Sequence, residues 1–216
     1  MKPHNKYRFS RLTAPVCALA AIALLNPTQS NAGIRPIDGP ALDFSNVEFG
    51  LEYRSFDDSR LDDSAGLHAG FSAAAGDILY FTGDFRYARP EVLDTDGKTD
   101  FFDIRGGIGA RVAFASAMFG YVEGGLAYGK LGTGHGDGEL GYDETGFYIE
   151  PGVRFAIGRQ VELNIAADIL GIDGESYYGA KGGIFWGITN TFGFTLDGGV
   201  LSDHSSYIGV GVRVNW

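Results

Sequence analysis

Short-range pairs of opposite charge recur in this 216-residue chain: Glu52 with Arg54, Asp84 with Arg86, and Asp103 with Arg105, each two residues apart. On an extended strand, side chains alternate between faces, so residues two apart share one. Each pair is spaced to form a salt bridge, and a file of such pairs makes either a polar conduit or a plug. The histidines invite a second chemistry. His135 sits in Gly-Thr-Gly-His-Gly-Asp-Gly, and Asp203-His204-Ser205-Ser206 offers a base, an orienting carboxylate and hydroxyls, the parts of a nucleophilic hydrolase. Neighbouring residues in a strand or tight loop point to different sides, however, so Asp203 and Ser205 do not both meet His204 without a special turn. The expectation is no catalytic residue and no enzyme, with a hydrolase using His204 kept as the remotest alternative. His68, alone on its face, reads as a hydrogen-bonded wall residue. The carboxylates Asp94, Asp96 and Asp100 alternate around Gly97, loosely like a calcium loop. They lack the spacing and distal bidentate Glu of an EF-hand, so a solvated acidic loop is expected, with no metal and no cofactor.

Strands must position these residues. After residue 45 no segment shows the i, i+3, i+4 recurrence of an amphipathic helix, whereas apolar and polar residues alternate over stretches of about ten. Ten strands are predicted, at 46–56, 64–74, 78–88, 101–114, 117–129, 145–156, 161–170, 176–188, 192–201 and 206–216. Eight are the alternative. The fifth and ninth are diluted by Gly120, Gly124, Gly198 and Gly199.

One parity of each strand is apolar: Val47, Phe49, Leu51 and Tyr53 in the first, Phe102, Ile104, Ile108, Val112 and Phe114 in the fourth, Ile208, Val210, Val212, Val214 and Trp216 in the last. The opposite parity carries Glu48, Glu52, Arg54, Asp84, Arg86, Asp103, Arg105, Arg111, Glu123, Glu150, Arg154, Glu162, Asp168, Lys181, Asp197 and Arg213. A soluble sandwich would bury its apolar side against another apolar side. Here the complement is densely ionic, and an ion facing hydrocarbon near a bilayer midplane costs about 2–4 kcal/mol. The inversion predicts a lipid-facing exterior around a lumen charge network. Connections alternate long and short, as in an up-and-down barrel crossing an outer membrane. Aromatics fall into two belts near the strand ends: Tyr53, Phe56, Tyr87, Phe101, Phe102, Tyr128, Phe147, Tyr177, Tyr178 and Tyr207 with the long loops, and Phe114, Phe119, Phe155, Trp186, Phe192 and Trp216 with the short turns.

Composition agrees. All 34 glycines lie after residue 32, nearly a fifth of that segment against about 7% in average proteins, which disfavours long helices. The same segment carries 13 basic and 27 acidic residues with no basic cluster, so nucleic-acid binding is excluded as a reading. Residues 1–32 read as a cleaved secretory signal peptide: a basic stretch ending at Arg11, an apolar run from Leu12 to Leu25, then Ser30 and Ala32 before a cut at Gly33. The single cysteine, Cys17, lies inside that run, so the exported chain would hold no disulfide or thiolate site. Residues 33–45 are expected to form a periplasmic lead-in to a barrel over 46–216.

The chain ends Tyr207-Ile208-Gly-Val210-Gly-Val212-Arg-Val214-Asn-Trp216. This resembles the C-terminal signal by which the outer-membrane assembly machinery recognises barrel precursors. With the export signal and glycine-rich amphipathic strands, it makes the chain similar to the small bacterial outer-membrane β-barrels, the OmpA-like, OmpX-like and opacity-type porin-like group. The resemblance implies an all-β, closed up-and-down antiparallel transmembrane barrel, exported through the periplasm by the Sec route and inserted by the barrel-assembly machinery. Its expected partners are outer-membrane lipid and lipopolysaccharide, reached by acidic outer loops, and it is expected to be a monomer. The leading expectation for function is a structural or surface-interaction module with a charge-filled lumen, and the alternative is a narrow channel for small solutes or ions.

Overall fold

The computed structural model describes residues 42–56, 60–93, 97–132, 142–172, 175–202 and 205–216. Ten antiparallel strands follow in chain order: β1 (Asn46–Ser55), β2 (Ser64–Ala75), β3 (Leu79–Ala88), β4 (Asp100–Ala115), β5 (Met118–Gly132), β6 (Tyr142–Ile157), β7 (Val161–Ile172), β8 (Glu175–Gly187), β9 (Phe192–Leu201) and β10 (Ser206–Asn215). Every strand pairs with its sequence neighbours, and β10 closes on β1 from Asn46↔Asn215 to Ser55↔Ser206. Closure leaves no strand edge unpaired, the condition for carrying backbone through hydrocarbon. The ten-strand expectation holds, including the glycine-diluted β5 and β9.

The short connections lie at one rim, at 76–78, 116–117, 158–160 and 188–191. Gly76 (φ 95°) and Gly158 (φ 72°) take the left-handed conformation there, which a side chain would disfavour. Pro151 interrupts β6; lacking an N–H, it lies in the gap between the pairs Ile149↔Ile169 and Gly152↔Ala166.

Sidedness follows the alternation. Phe49, Leu51, Ile108, Leu126, Phe147, Ile165, Trp186, Val210 and Trp216 are exposed on the outer surface, whereas Glu52, Arg54, Glu150 and Glu162 are almost wholly buried within the barrel. The greasy parity therefore faces out and the ionic parity faces in. Phe101, Phe119 and Tyr207 correct the belt assignments: each has the ionic parity of its strand and points inward. Phe101 and Tyr207 lie beneath the Arg54 guanidinium at 4.6 and 5.2 Å, and Phe119 packs on Phe44.

Residues 42–45, upstream of the first strand, lie in the short-turn end of the barrel. The Leu42 N–H donates to Glu162 Oε2 at 2.7 Å, and the Ser72 hydroxyl donates to the Phe44 carbonyl at 2.7 Å. Leu42 takes φ 65° as the chain turns inward, a conformation a leucine adopts only when its surroundings hold it. Phe44 is 0% exposed.

Candidate functional site

The lumen is the site, and three layers can be followed from the short-turn end. The first is aromatic. Phe44 packs against Tyr80, Phe119 and Tyr121, with centroids 4.9, 5.8 and 6.5 Å away. Arg111 and Arg154 place guanidinium carbons 4.5 and 4.2 Å from its ring centroid, within cation–π range. Arg111 also donates to the Gly76 and Asp77 carbonyls at 3.1 Å, tying the β2–β3 turn to this layer. Burial raises the neighbouring Asp43 carboxyl from its ordinary value, against the Ser45 N–H that donates to it at 2.8 Å.

Glycines make room for the tyrosines. Tyr80 in β3 pairs with Gly109 in β4, and Tyr121 in β5 with Gly152 in β6. A Cβ on Gly109 would stand 2.1 Å from Tyr80 Cζ. The ring lying flat over Gly109 lets the Tyr80 hydroxyl reach Glu123 Oε2 at 3.1 Å. Gly109→Ala is therefore expected to displace the ring, break that bond and destabilise the barrel by about 1–3 kcal/mol, the usual cost of overpacking; a lower urea midpoint at unchanged m-value would register it.

The second layer is a set of ion pairs, two between neighbouring strands and two between strands that are not neighbours. Arg213 in β10 reaches Glu162 in β7 at 3.2 Å and Glu48 in β1 at 3.1 Å, while Arg154 in β6 lies 3.8 Å from Glu162. Lys181 in β8 is paired with Glu150 in β6. The Tyr121 hydroxyl lies 3.1 Å from Glu150 Oε1 and 3.0 Å from Asn164 Oδ1.

The third layer lies toward the long loops. Arg54, Arg86 and Arg105 each donate through Nε to the carboxylate two residues earlier, at 3.0, 2.9 and 3.2 Å. Arg86 also reaches Glu52 at 3.0 Å and lies 4.0 Å above the Tyr207 ring. Arg105 in β4 grips Asp168 in β7 through Nη1 with contacts of 2.9 and 2.7 Å. Asp197 stands 4.0 Å from Arg86. A cavity of about 160 Å³ lies between the aromatic layer and these arginines, adjoined by a second of about 30 Å³.

Of the charged residues expected in the lumen, Glu48, Arg54, Asp84, Arg86, Asp103, Arg105, Glu123, Glu150, Arg154, Lys181, Asp197 and Arg213 line the two cavities, Glu52 pairs with Arg54 and Arg86, and Arg111 lies over the Phe44 ring. Reading charge alone missed Phe44, Tyr80, Tyr121 and Tyr148, although the three tyrosines lie at the ionic parity, where the signal was available. Of the terminal signal residues, Ile208, Val210, Val212, Val214 and Trp216 have the outward parity, and Tyr207 lines the lumen. His68 meets Glu48 at 3.3 Å. Asp94, Asp96, His135, Asp203 and His204 fall outside the described residues; Asp100 receives bonds from Tyr87 and Arg89 at 2.9 and 3.2 Å.

A family model agrees with this architecture. The family described as Outer membrane protein beta-barrel domain matches residues 14–213. No curated protein matches the chain. Among solved structures, Neisserial surface protein A is 14% identical, covering 79% of this chain and 95% of its own, with a TM-score of 0.40. Ail, the attachment invasion locus protein of Yersinia pestis, is 14% identical over 78% and 97%, with a TM-score of 0.42. The outer membrane protein OprG of Pseudomonas aeruginosa is 10% identical over 83% and 99%, with a TM-score of 0.43. Likeness at this level does not extend to function.

Proposed function

The chain belongs to the outer membrane protein β-barrel family, and we propose that within it this protein is a non-conducting, non-enzymatic structural and surface-interaction module. One observation carries the reading. Side chains from strands three apart around the wall meet inside the lumen, Arg105 of β4 with Asp168 of β7 and Arg213 of β10 with Glu162 of β7, while Phe44 fills the short-turn end. A lumen crossed in this way is a side-chain core, as in barrels of about eight strands, rather than an aqueous channel.

The long-loop rim then supplies the working surface. Asp62, Asp63, Glu91, Glu144 and Glu175 belong to it, and divalent cations would bridge such carboxylates to lipopolysaccharide phosphates. Sec export, assembly through the C-terminal strand and a monomeric state complete the proposal.

Planar-bilayer recording of the purified barrel in potassium chloride is expected to give no unitary steps above the membrane background. Regular, reproducible openings from the wild-type protein would replace this reading with that of a narrow channel.

A further inference from the structure

We infer that the lumen holds a binding site for one divalent first-row transition-metal ion, built from His68 of β2, Glu48 of β1 and Asp197 of β9. One ligand atom from each of the three lies within 4.8 Å of the others. The site stands apart from the surface role proposed above, since it lies inside the wall.

Two glycines bring these side chains together. His68 pairs with Gly50 on β1, and Asp197 pairs with Gly209 on β10. A Cβ on Gly50 would come within 2.2 Å of His68 Cε1. One on Gly209 would come within 2.7 Å of Asp197 Oδ1 and 3.4 Å of His68 Cε1. The bare backbone of β1 and β10 thus forms a saddle over which β2 and β9 lean their side chains toward each other, with Glu48 beside them.

Orphaned atoms point to a ligand. His68 is 5% exposed, and its Nδ1 has no hydrogen-bond partner among the described residues; neither has Asp197 Oδ1, which is also buried. A buried polar atom left unpaired costs about 1–3 kcal/mol, and an ion set between Asp197 Oδ1 and the His68 Nε2–Glu48 Oε1 pair, 3.3 Å apart, gives Asp197 Oδ1 its partner while the ring proton stays on Nδ1. All three residues line the 160 Å³ cavity, which has room for the ion and a water at an open coordination position. Its wall carries six carboxylates against four guanidinium and ammonium groups, a formal excess of two negative charges with His68 neutral. A divalent cation cancels that excess.

The donor set selects the class of metal. One imidazole and two carboxylates suit zinc and its first-row neighbours, whereas calcium takes six to eight oxygens. Zinc bonds of about 2.0–2.2 Å require the three donors to close by roughly an ångström, which rotation of the Asp197 and Glu48 side chains into the cavity supplies.

Zinc and cobalt(II) titration of the detergent-folded full chain tests this, with folding verified by heat-modifiable gel migration. One equivalent is expected to bind, weakening at least about tenfold in His68→Ala and Asp197→Asn, since losing a ligand costs no less than losing a residue that merely supports one. Glu175→Gln, at the rim, is expected to bind as wild type. Copper(II) paramagnetic resonance adds a measurement that does not depend on His68→Ala folding. The triple variant His4→Ala, His135→Ala and His204→Ala leaves His68 as the single histidine, and nitrogen hyperfine coupling is expected to persist in it. Absence of stoichiometric binding, wild-type affinity in the His68 and Asp197 variants, loss of binding in Glu175→Gln, or loss of nitrogen coupling in the triple variant would each overturn the assignment.

Discussion

Replacing Arg105 by alanine is expected to destabilise the barrel by about 3–5 kcal/mol, the cost of removing one partner from a buried ion pair. The Arg105 side chain is 9% exposed, between Asp103 and Asp168 at 14% and 8%. It holds Asp168 through Nη1 and Asp103 through Nε and Nη2. Without the guanidinium, two carboxylates face each other in a space with little water to screen them. The deficit arises from those stranded charges and not from the worth of the pair itself. Arg105→Met combined with Asp103→Asn and Asp168→Asn is therefore expected to recover most of the loss, because an apolar or neutral replacement of similar volume removes the charges together. Urea unfolding in lipid, followed by gel shift and by fluorescence of the outward-facing Trp186 and Trp216, gives both values. If the single substitution proved as mild as the triple one, the lumen around Arg105 would be wet enough to solvate the carboxylates, and the plug reading would fail with it.

The same residues mark where the sequence was legible. Alternation exposed all ten strands because lipid on one side and charge on the other impose a period of two on every stretch, with Gly198 and Gly199 only thinning the signal in β9. Pairs two apart on one strand, such as Glu52 with Arg54, could be read directly. The Arg105–Asp168 chord could not: its partners are 63 residues apart, and their meeting depends on the stagger of β4 to β7 around the closed wall. Tyr207 shows a different failure. Aromatic type suggested a membrane belt, but parity decides the face, and Tyr207 shares the parity of the inward-facing Arg213. The Glu48, His68 and Asp197 group stayed hidden because it draws on three strands, two of which meet only when β10 closes on β1.

Phe44→Ala is expected to have the largest effect of any single apolar truncation, about 3–5 kcal/mol for a fully buried phenylalanine, and to change conductance as well as stability. The ring is the centre of the short-turn layer: Tyr80, Phe119 and Tyr121 pack on it, and Arg111 and Arg154 lie over it. Truncation leaves a void bordered by two guanidinium groups and the Tyr80 and Tyr121 rings, a polar enough lining for water to enter. Phe44→Leu separates the contributions. It keeps most of the apolar volume but removes the two cation–π contacts, each worth about 0.5–2 kcal/mol, and is expected to lie between wild type and Phe44→Ala in stability while remaining silent in a bilayer. Phe44→Ala, with its short-turn end opened, is expected to show brief small openings, limited by the Arg105–Asp168 and Arg86–Glu52 chords that still cross the lumen above. Combining Phe44→Ala with the triple substitution at Arg105, Asp103 and Asp168 removes the aromatic plug of the first layer and an ionic chord of the third, and should raise the conductance further. Equal silence of the wild type, Phe44→Ala and the combined variant would mean that the remaining ionic layer of Arg213, Glu162, Lys181 and Glu150 seals the barrel without help from the aromatic one.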